Sequence, residues 1–154
     1  VVPVNVEGDA REVLDEPIEA TGHSLRYYAA TIGNPHCVVP LNEVSDSLVK
    51  EIGPALENHT NFPNRTNVQL LQILDRNNIR IEIWERGAGY TLASGSSSSA
   101  AGAVARKTGA CDEDITVHMP GGEIGLRIDD AFNVTMKGPA TRVCSMILDP
   151  ECLK

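Results

Sequence analysis

Residues Trp84–Arg106 read WERGAGYTLASGSSSSAAGAVAR, and the change of pattern inside this stretch decides the fold. Before it, Ile79–Trp84 (IRIEIW) alternates: Ile79, Ile81 and Ile83 face one way and Arg80, Glu82 and Trp84 the other, the period of a strand. The strand stops at Glu85-Arg86, turns through Gly87-Ala88-Gly89 and restarts at Gly95–Lys107 as a run of small residues with helical propensity. Serines crowd its first half, where they serve as caps, and Ala and Val fill the remainder. Small residues on every face predict a helix buried inside a wrapped sheet. A helix start at Ser94-Gly95-Ser96 presents free backbone N–H groups, suited to a carboxylate or phosphate.

Upstream, Val68–Leu74 (VQLLQIL) and Ile79–Trp84 flank Asp75-Arg76-Asn77-Asn78, a hairpin pattern with a four-residue connection. Ser45–Glu57 carries Leu48, Val49, Ile52 and Leu56 at helical spacing, with a serine cap and an expected kink or interruption at Gly53-Pro54. Ser24–Thr31 and Cys37–Leu41 are expected strands on either side of the tight loop Ile32-Gly33-Asn34-Pro35-His36. Pro35 biases Asn34 away from helical geometry, and His36 is held at a strand start. Val1–Val6 reads as a short strand. From Ile115 on, ITVHM, EIGLRI, FNVTMKG and TRVCSMIL read as strands joined by turns. The fold class is α+β, a mostly antiparallel sheet curled around the Gly95–Lys107 helix, with residues 1–154 as one domain.

Composition narrows the function. The chain has 154 residues and a formal charge of −8, and its 42 % apolar content with 4 % aromatics implies a core of Val, Ile, Leu and Ala. No Lys/Arg cluster offers a nucleic-acid surface, and no apolar run reaches the ~20 residues of a membrane span. Cys37, Cys111, Cys144 and Cys152 show neither C-x-x-C nor zinc spacing, so no metal is expected and the thiols read as those of a reduced, cytoplasmic protein. Val1-Val2-Pro3 has no leader pattern and no initiator Met, so the chain reads as a piece of a longer one. Gly87-Ala88-Gly89 lacks dinucleotide spacing, and Ser94 has no His at a hydrolase spacing. Glu85-Arg86, an adjacent acid and base at a strand end, and Asn64 and Asn67, where a loop meets a strand, remain candidates for binding a polar ligand.

Three motifs in order, GNPHCV, FPNRTNV and IEIWERGAGYTLASGSSSSAAGAV, resemble the diaminopimelate epimerase family. The resemblance implies the C-terminal lobe of a two-lobed, cofactor-independent amino-acid epimerase, which converts LL- to meso-diaminopimelate in lysine biosynthesis. Each lobe of that family curls a sheet around a central helix, and one cysteine from each lobe acts on opposite faces of the α-carbon. The implied partners are a small amino-acid substrate and the N-terminal lobe of the same protein, with a homodimer left open. Asn34, Asn67 and Arg86 match positions that grip the distal end of the substrate. His36 and Glu85 match the groups that assist the thiols, and Gly95 and Ser96 the carboxylate cradle. Ser94 stands where the family has its catalytic cysteine, and Tyr90 where the loop is usually acidic. With an alcohol at that position, several readings stay open: slow epimerisation relayed by Ser94 or an ordered water, a different proton-shift isomerisation, an amino-acid-binding lobe without turnover, or a structural interaction domain.

Overall fold

The computed structural model describes residues 6–9 and 11–153. Among the described residues nine strands form one sheet: β1 Glu16–Ala20, β2 His23–Thr31, β3 Pro35–Pro40, β4 Asn67–Asp75, β5 Asn78–Glu85, β6 Gly89–Thr91, β7 Asp114–Met119, β8 Gly122–Ile128 and β9 Val134–Lys137. Their order is β1-β2-β3-β4-β5-β7-β8-β9, with β6 paired to the end of β5. Most pairings are antiparallel; β3–β4 and β5–β7 are parallel. Each parallel pair requires a helical crossover. Helix α1, Asp46–Glu57, joins β3 to β4, and helix α2, Gly95–Lys107, lies between β6 and β7.

The sheet curls around α2, which touches β2, β3, β4, β5, β7, β8 and β9. Ile79, Ile81 and Ile83 of β5 pack with Ala100, Ala101, Val104 and Ala105 of α2 and with Val117, Leu126 and Ile128. Removing each isoleucine side chain from water contributes roughly 1.5–3 kcal/mol. Close approach requires small residues: a Cβ at Gly102 would stand 2.6 Å from Leu126 Cδ1. The opposite face of the strands carries α1, where Val49, Ile52 and Leu56 pack with Cys37, Val39, Val68 and Leu70. Alternation along β3 and β4 therefore sorts the chain into two cores, one per helix.

Several expectations need correction. The helix over 46–57 runs unbroken through Gly53-Pro54. Gly53 is required by packing, since a Cβ there would stand 2.7 Å from Trp84 Cγ. The hairpin connection is two residues, Arg76-Asn77. Neither β1, with its acidic and proline-containing EPIEA, nor the three-residue β6 was expected. TRVCSMIL (141–148) forms no strand: it has no neighbouring strand, and Val143 is 91 % and Ile147 100 % exposed. The strand expected at Val1–Val6 falls almost wholly outside the described residues. No helix among the described residues is long and apolar enough to cross a membrane.

Candidate functional site

Register brings the singled-out residues to one end of the sheet. His36, near the start of β3, pairs in parallel with Asn67, at the start of β4, and Val68 next to it pairs with Trp84 near the end of β5. The end of β5 and the turn after it thus carry Glu85 and Arg86 past Asn67. Asn67 is buried and uses both ends of its amide: Nδ2 donates to the Pro35 carbonyl at 2.9 Å, and Oδ1 accepts the Arg86 N–H at 3.0 Å. It thereby ties the Asn34–His36 loop to the Arg86 loop. Arg86 donates from Nη1 to the Asn64 carbonyl at 3.1 Å. Glu85 is half-buried, and its Oε2 accepts from Thr91 Oγ1 at 3.4 Å.

His36 lies fully buried on the α2 side of β3. Its Nε2 is 3.0 Å from Asn34 Oδ1, and its Nδ1 is 3.3 Å from the side-chain amide of Gln69. The other end of that amide is 3.0 Å from Ser97 Oγ in the first turn of α2. Burial pulls His36 down to about 4, outweighing the hydrogen bond to Gln69 and the charge of Glu85, which raise it. At neutral pH the ring is uncharged.

The start of α2 is built by Ser94. Its extended backbone and its Oγ, which accepts the Ser97 N–H at 3.4 Å, make it the N-cap. Ser98 and Ser99 donate to the carbonyls of Ser94 and Gly95 at 2.8 and 2.9 Å, so these interior hydroxyls have acceptors. Gly95 and Ser96, half-buried, occupy the first two helical positions, whose N–H groups have no intrahelical acceptor. No acidic residue stands in this first turn. The positive end of the helix dipole is therefore not answered by an acid of the helix's own first turn.

Of the eight residues expected from sequence, Asn34 bonds His36, Asn67 ties the Pro35 carbonyl to the Arg86 N–H, and Glu85 ends β5 beside Arg86; Gln69 links His36 to the first turn of α2, which Ser94, Gly95 and Ser96 begin. Cys37 points into the α1 core, fully buried, and desolvation pushes its thiol far up, so it supplies no thiolate. Tyr90 also belongs to the α1 face, where its hydroxyl donates to Glu82 Oε2 at 3.0 Å. Two polar side chains that order this region escaped the sequence reading. One is Gln69, a single buried polar residue in the apolar run Val68-Gln69-Leu70-Leu71; that interruption was the available signal. The other is Glu57, at the end of α1. Its Oε1 accepts from Arg65 Nη1 and the Gly87 N–H, each at 2.9 Å, and its Oε2 accepts from Trp84 Nε1 at 2.7 Å. It clamps the turn that displays Arg86, where Gly87 adopts φ +78°; nothing in the sequence marks it.

A cleft of about 340 Å³ lies elsewhere, between β2, β9 and the last turns of α2, lined by Val13, Tyr28, Val104, Lys107 and Phe132 among others. None of the eight residues lines it. Among the described residues no three His, Cys, Asp or Glu side chains gather as a metal-binding group.

Comparison with known proteins points the same way. A family model described as diaminopimelate epimerase matches residues 28–143. Diaminopimelate epimerase 2 of Nostoc sp. (strain PCC 7120) is 51 % identical over 148 residues, covering 96 % of this chain and 52 % of the relative. The diaminopimelate epimerase of Moorella thermoacetica is 40 % identical over 141 residues, covering 91 % and 50 %. The chain thus spans about half the length of these curated relatives. Among solved structures, a phenazine biosynthesis protein of the PhzF family from Enterococcus faecalis superposes with a TM-score of 0.51 at 14 % identity, covering 68 % of this chain and 40 % of that one. At that identity the likeness concerns the fold alone.

Proposed function

The chain belongs to the diaminopimelate epimerase family, and we propose that it is one lobe of a two-lobed, cofactor-independent epimerase that interconverts LL- and meso-diaminopimelate in lysine biosynthesis. One observation carries the reading: the side chain of Gln69 bridges His36, beside Asn34, to Ser97 in the first turn of α2, a helix start with no acid in that turn. In this reading the α-carboxylate of the substrate sits on the Gly95 and Ser96 N–H groups, where the helix dipole favours negative charge. Asn34, Asn67 and Arg86 hold the distal end, and Arg86 supplies the charge for a second carboxylate. Epimerisation removes the α-proton on one face and returns one on the other, so it needs two groups on opposite sides of the carbon. The second comes from the other lobe. The exposed run Val143–Leu148 supports such a partner, because Val143, Met146 and Ile147 are at least 74 % exposed here and would be covered by it.

Exchange of the substrate α-proton in deuterium oxide, measured on the full-length protein, tests the reading. Exchange from both LL- and meso-diaminopimelate is expected, and Arg86→Ala should weaken dicarboxylic substrates more than monocarboxylic ones. Absence of exchange with binding retained would sink the epimerase assignment. A second reading is favoured by the cap at Ser94: its oxygen already accepts the Ser97 N–H, and an alcohol is a far weaker acid than a thiol. On that reading the lobe binds the amino acid and turns over slowly or not at all, and Ser94→Cys raises exchange.

A further inference from the structure

We propose that Gln69 is a positioning residue that holds His36 as the neutral Nε2–H tautomer, its amide oxygen accepting the Ser97 hydroxyl proton and its amide nitrogen donating to His36 Nδ1. With the amide oxygen toward His36 and the nitrogen toward Ser97, both ring nitrogens would face oxygen acceptors, because Asn34 Oδ1 stands 3.0 Å from Nε2. A neutral imidazole has one N–H and satisfies one of them. An imidazolium would satisfy both, but the ring is fully buried and desolvation pulls its pKa down to about 4. Glu85 draws that value up and Arg86 pushes it down, without reversing it.

Ser97 presents the second half of the problem. Its neighbours Ser98 and Ser99 donate to backbone carbonyls one turn back. Ser97 is fully buried and makes no such bond among the described residues. A buried hydroxyl proton without an acceptor is costly. Turning the Gln69 amide end for end resolves both conflicts and moves no heavy atom beyond the exchange of its own oxygen and nitrogen, which have nearly the same shape. Donors then run in one direction: Ser97 to Gln69, Gln69 to His36 Nδ1, His36 Nε2–H to Asn34 Oδ1. Turning Asn34 instead would satisfy the ring but leave the Ser97 proton without an acceptor.

The consequence is that His36 faces Asn34 as a proton donor and has no free lone pair to act as a base. The first turn of α2 is linked to Asn34 through a directed chain of hydrogen bonds. The tautomer stands on those bonds alone; its meaning for turnover rests on the epimerase reading above.

Long-range ¹H–¹⁵N correlation of the imidazole rings in the full-length protein at pH 7 tests the assignment, with His36→Asn identifying the signals. Protonation of Nε2 alone is expected. A His36 protonated at Nδ1, or at both nitrogens, would overturn it. Gln69→Glu replaces the amide by a group that only accepts, so the ring should move to Nδ1–H or imidazolium, and exchange should fall by roughly tenfold or more with KM little changed. An unchanged Nε2–H tautomer in that variant would remove the role of Gln69. Should Gln69→Glu not fold, Ser97→Ala removes the donor that orients the amide and should give a mixture of tautomers; a ring locked as in the wild type would count against the proposal. A wild-type Nε2–H tautomer in a protein that exchanges no α-proton would sustain the tautomer and reject the epimerase reading.

Discussion

Both helices start on a serine cap. Ser45 Oγ accepts the Leu48 N–H of α1 at 3.2 Å, and Ser94 Oγ accepts the Ser97 N–H of α2 at 3.4 Å. Beyond the cap the two diverge. Helix α1 places Asp46 in its first turn, paired with Lys50 at 2.8 Å, so its dipole is answered locally and its start lies on the surface. Helix α2 continues from its cap with glycine and serines, has no acid in the first turn, and carries Arg106 and Lys107 at its other end. Its negative end is answered and its positive end is not. The same capping chemistry thus makes a structural terminus at one place and, on the proposed function, the carboxylate site at the other, and the first-turn charge is the feature that separates them.

Matched substitutions at the second helical position should break this contrast most sharply. Ser96→Asp places a carboxylate where the substrate carboxylate is proposed to sit. Exchange in the full-length protein should fall by about 10²–10³, the scale of losing a preorganised donor to a reacting anion. Ser47→Asp at the same position of α1 should leave exchange unchanged and raise stability by about 0.3–1 kcal/mol. Equal loss in both variants would mean that the α2 start is not the carboxylate site.

Acid should distinguish the two faces next. His36, on the α2 face, has its folded pKa lowered by burial from 6.5 to about 4. The unfolded chain then binds more protons between those values, so the contribution is complete above about pH 6.5 and is lost as pH falls toward 4. The scale is on the order of 3 kcal/mol. Glu82, buried on the α1 face, has its carboxyl pushed up, chiefly by desolvation. Its contribution has the opposite sign: it is present at low pH and is lost as pH rises through the carboxyl's raised pKa. Urea midpoints at pH 7 and 5 should therefore differ less in His36→Asn than in the wild type. A wild-type difference that survives in His36→Asn would place the acid sensitivity elsewhere.

How much of this was legible in sequence depends on the reach of each cause. Helix α2 and the β4–β5 hairpin were readable because their signals are periodic and local: alternating isoleucines, then a run of small residues bounded by Ser94 and Gly109. The eight candidate residues were visible as polar or glycine positions at strand ends, in the loop before β3 or at the start of α2. The hidden features depend on contacts far apart in the chain. Gln69 meets Ser97 across 28 residues and Glu57 meets Gly87 across 30; locally Gln69 shows only as one polar interruption of an apolar run, and Glu57 not at all. No interruption occurs at Gly53-Pro54, and the glycine there answers to Trp84, 31 positions on, which leaves no room for a Cβ. TRVCSMIL has strand propensity and no neighbouring strand, which propensity alone does not reveal.

Packing of each helix on the sheet offers a smaller test. Gly53 faces the rigid ring of Trp84, with a Cβ placed 2.7 Å from Cγ and 2.8 Å from Cβ. Gly102 faces Leu126 Cδ1 at 2.6 Å, the far end of a flexible side chain. Both gain about 1 kcal/mol of helix propensity on change to alanine. Gly53→Ala should nonetheless destabilise by roughly 1–3 kcal/mol, the range for overpacking, and Gly102→Ala should be close to neutral. Thermal unfolding of the pair measures this, and the reverse order would show that Leu126 is the less yielding neighbour.

The caps themselves provide the finest comparison. Ser45→Ala removes an acceptor from an exposed helix start and should cost about 1 kcal/mol. Ser94→Ala removes the corresponding acceptor at a longer distance, 3.4 Å, and should cost the same or less. Stability therefore does not separate the two serines; function does. If Ser94 is only a cap, Ser94→Ala keeps whatever exchange the full-length protein has, because the Gly95 and Ser96 N–H groups remain in place. If Ser94 moves a proton, exchange from one stereoisomer disappears while binding is retained, and the other isomer still exchanges through the opposite lobe. Ser94→Cys distinguishes the same alternatives from the other side. A thiol at a helix start ionises more readily than an alcohol, so a rise in exchange from that one isomer assigns the face on which Ser94 stands. No change in either variant, with the lobes shown to close, leaves Ser94 as the structural twin of Ser45.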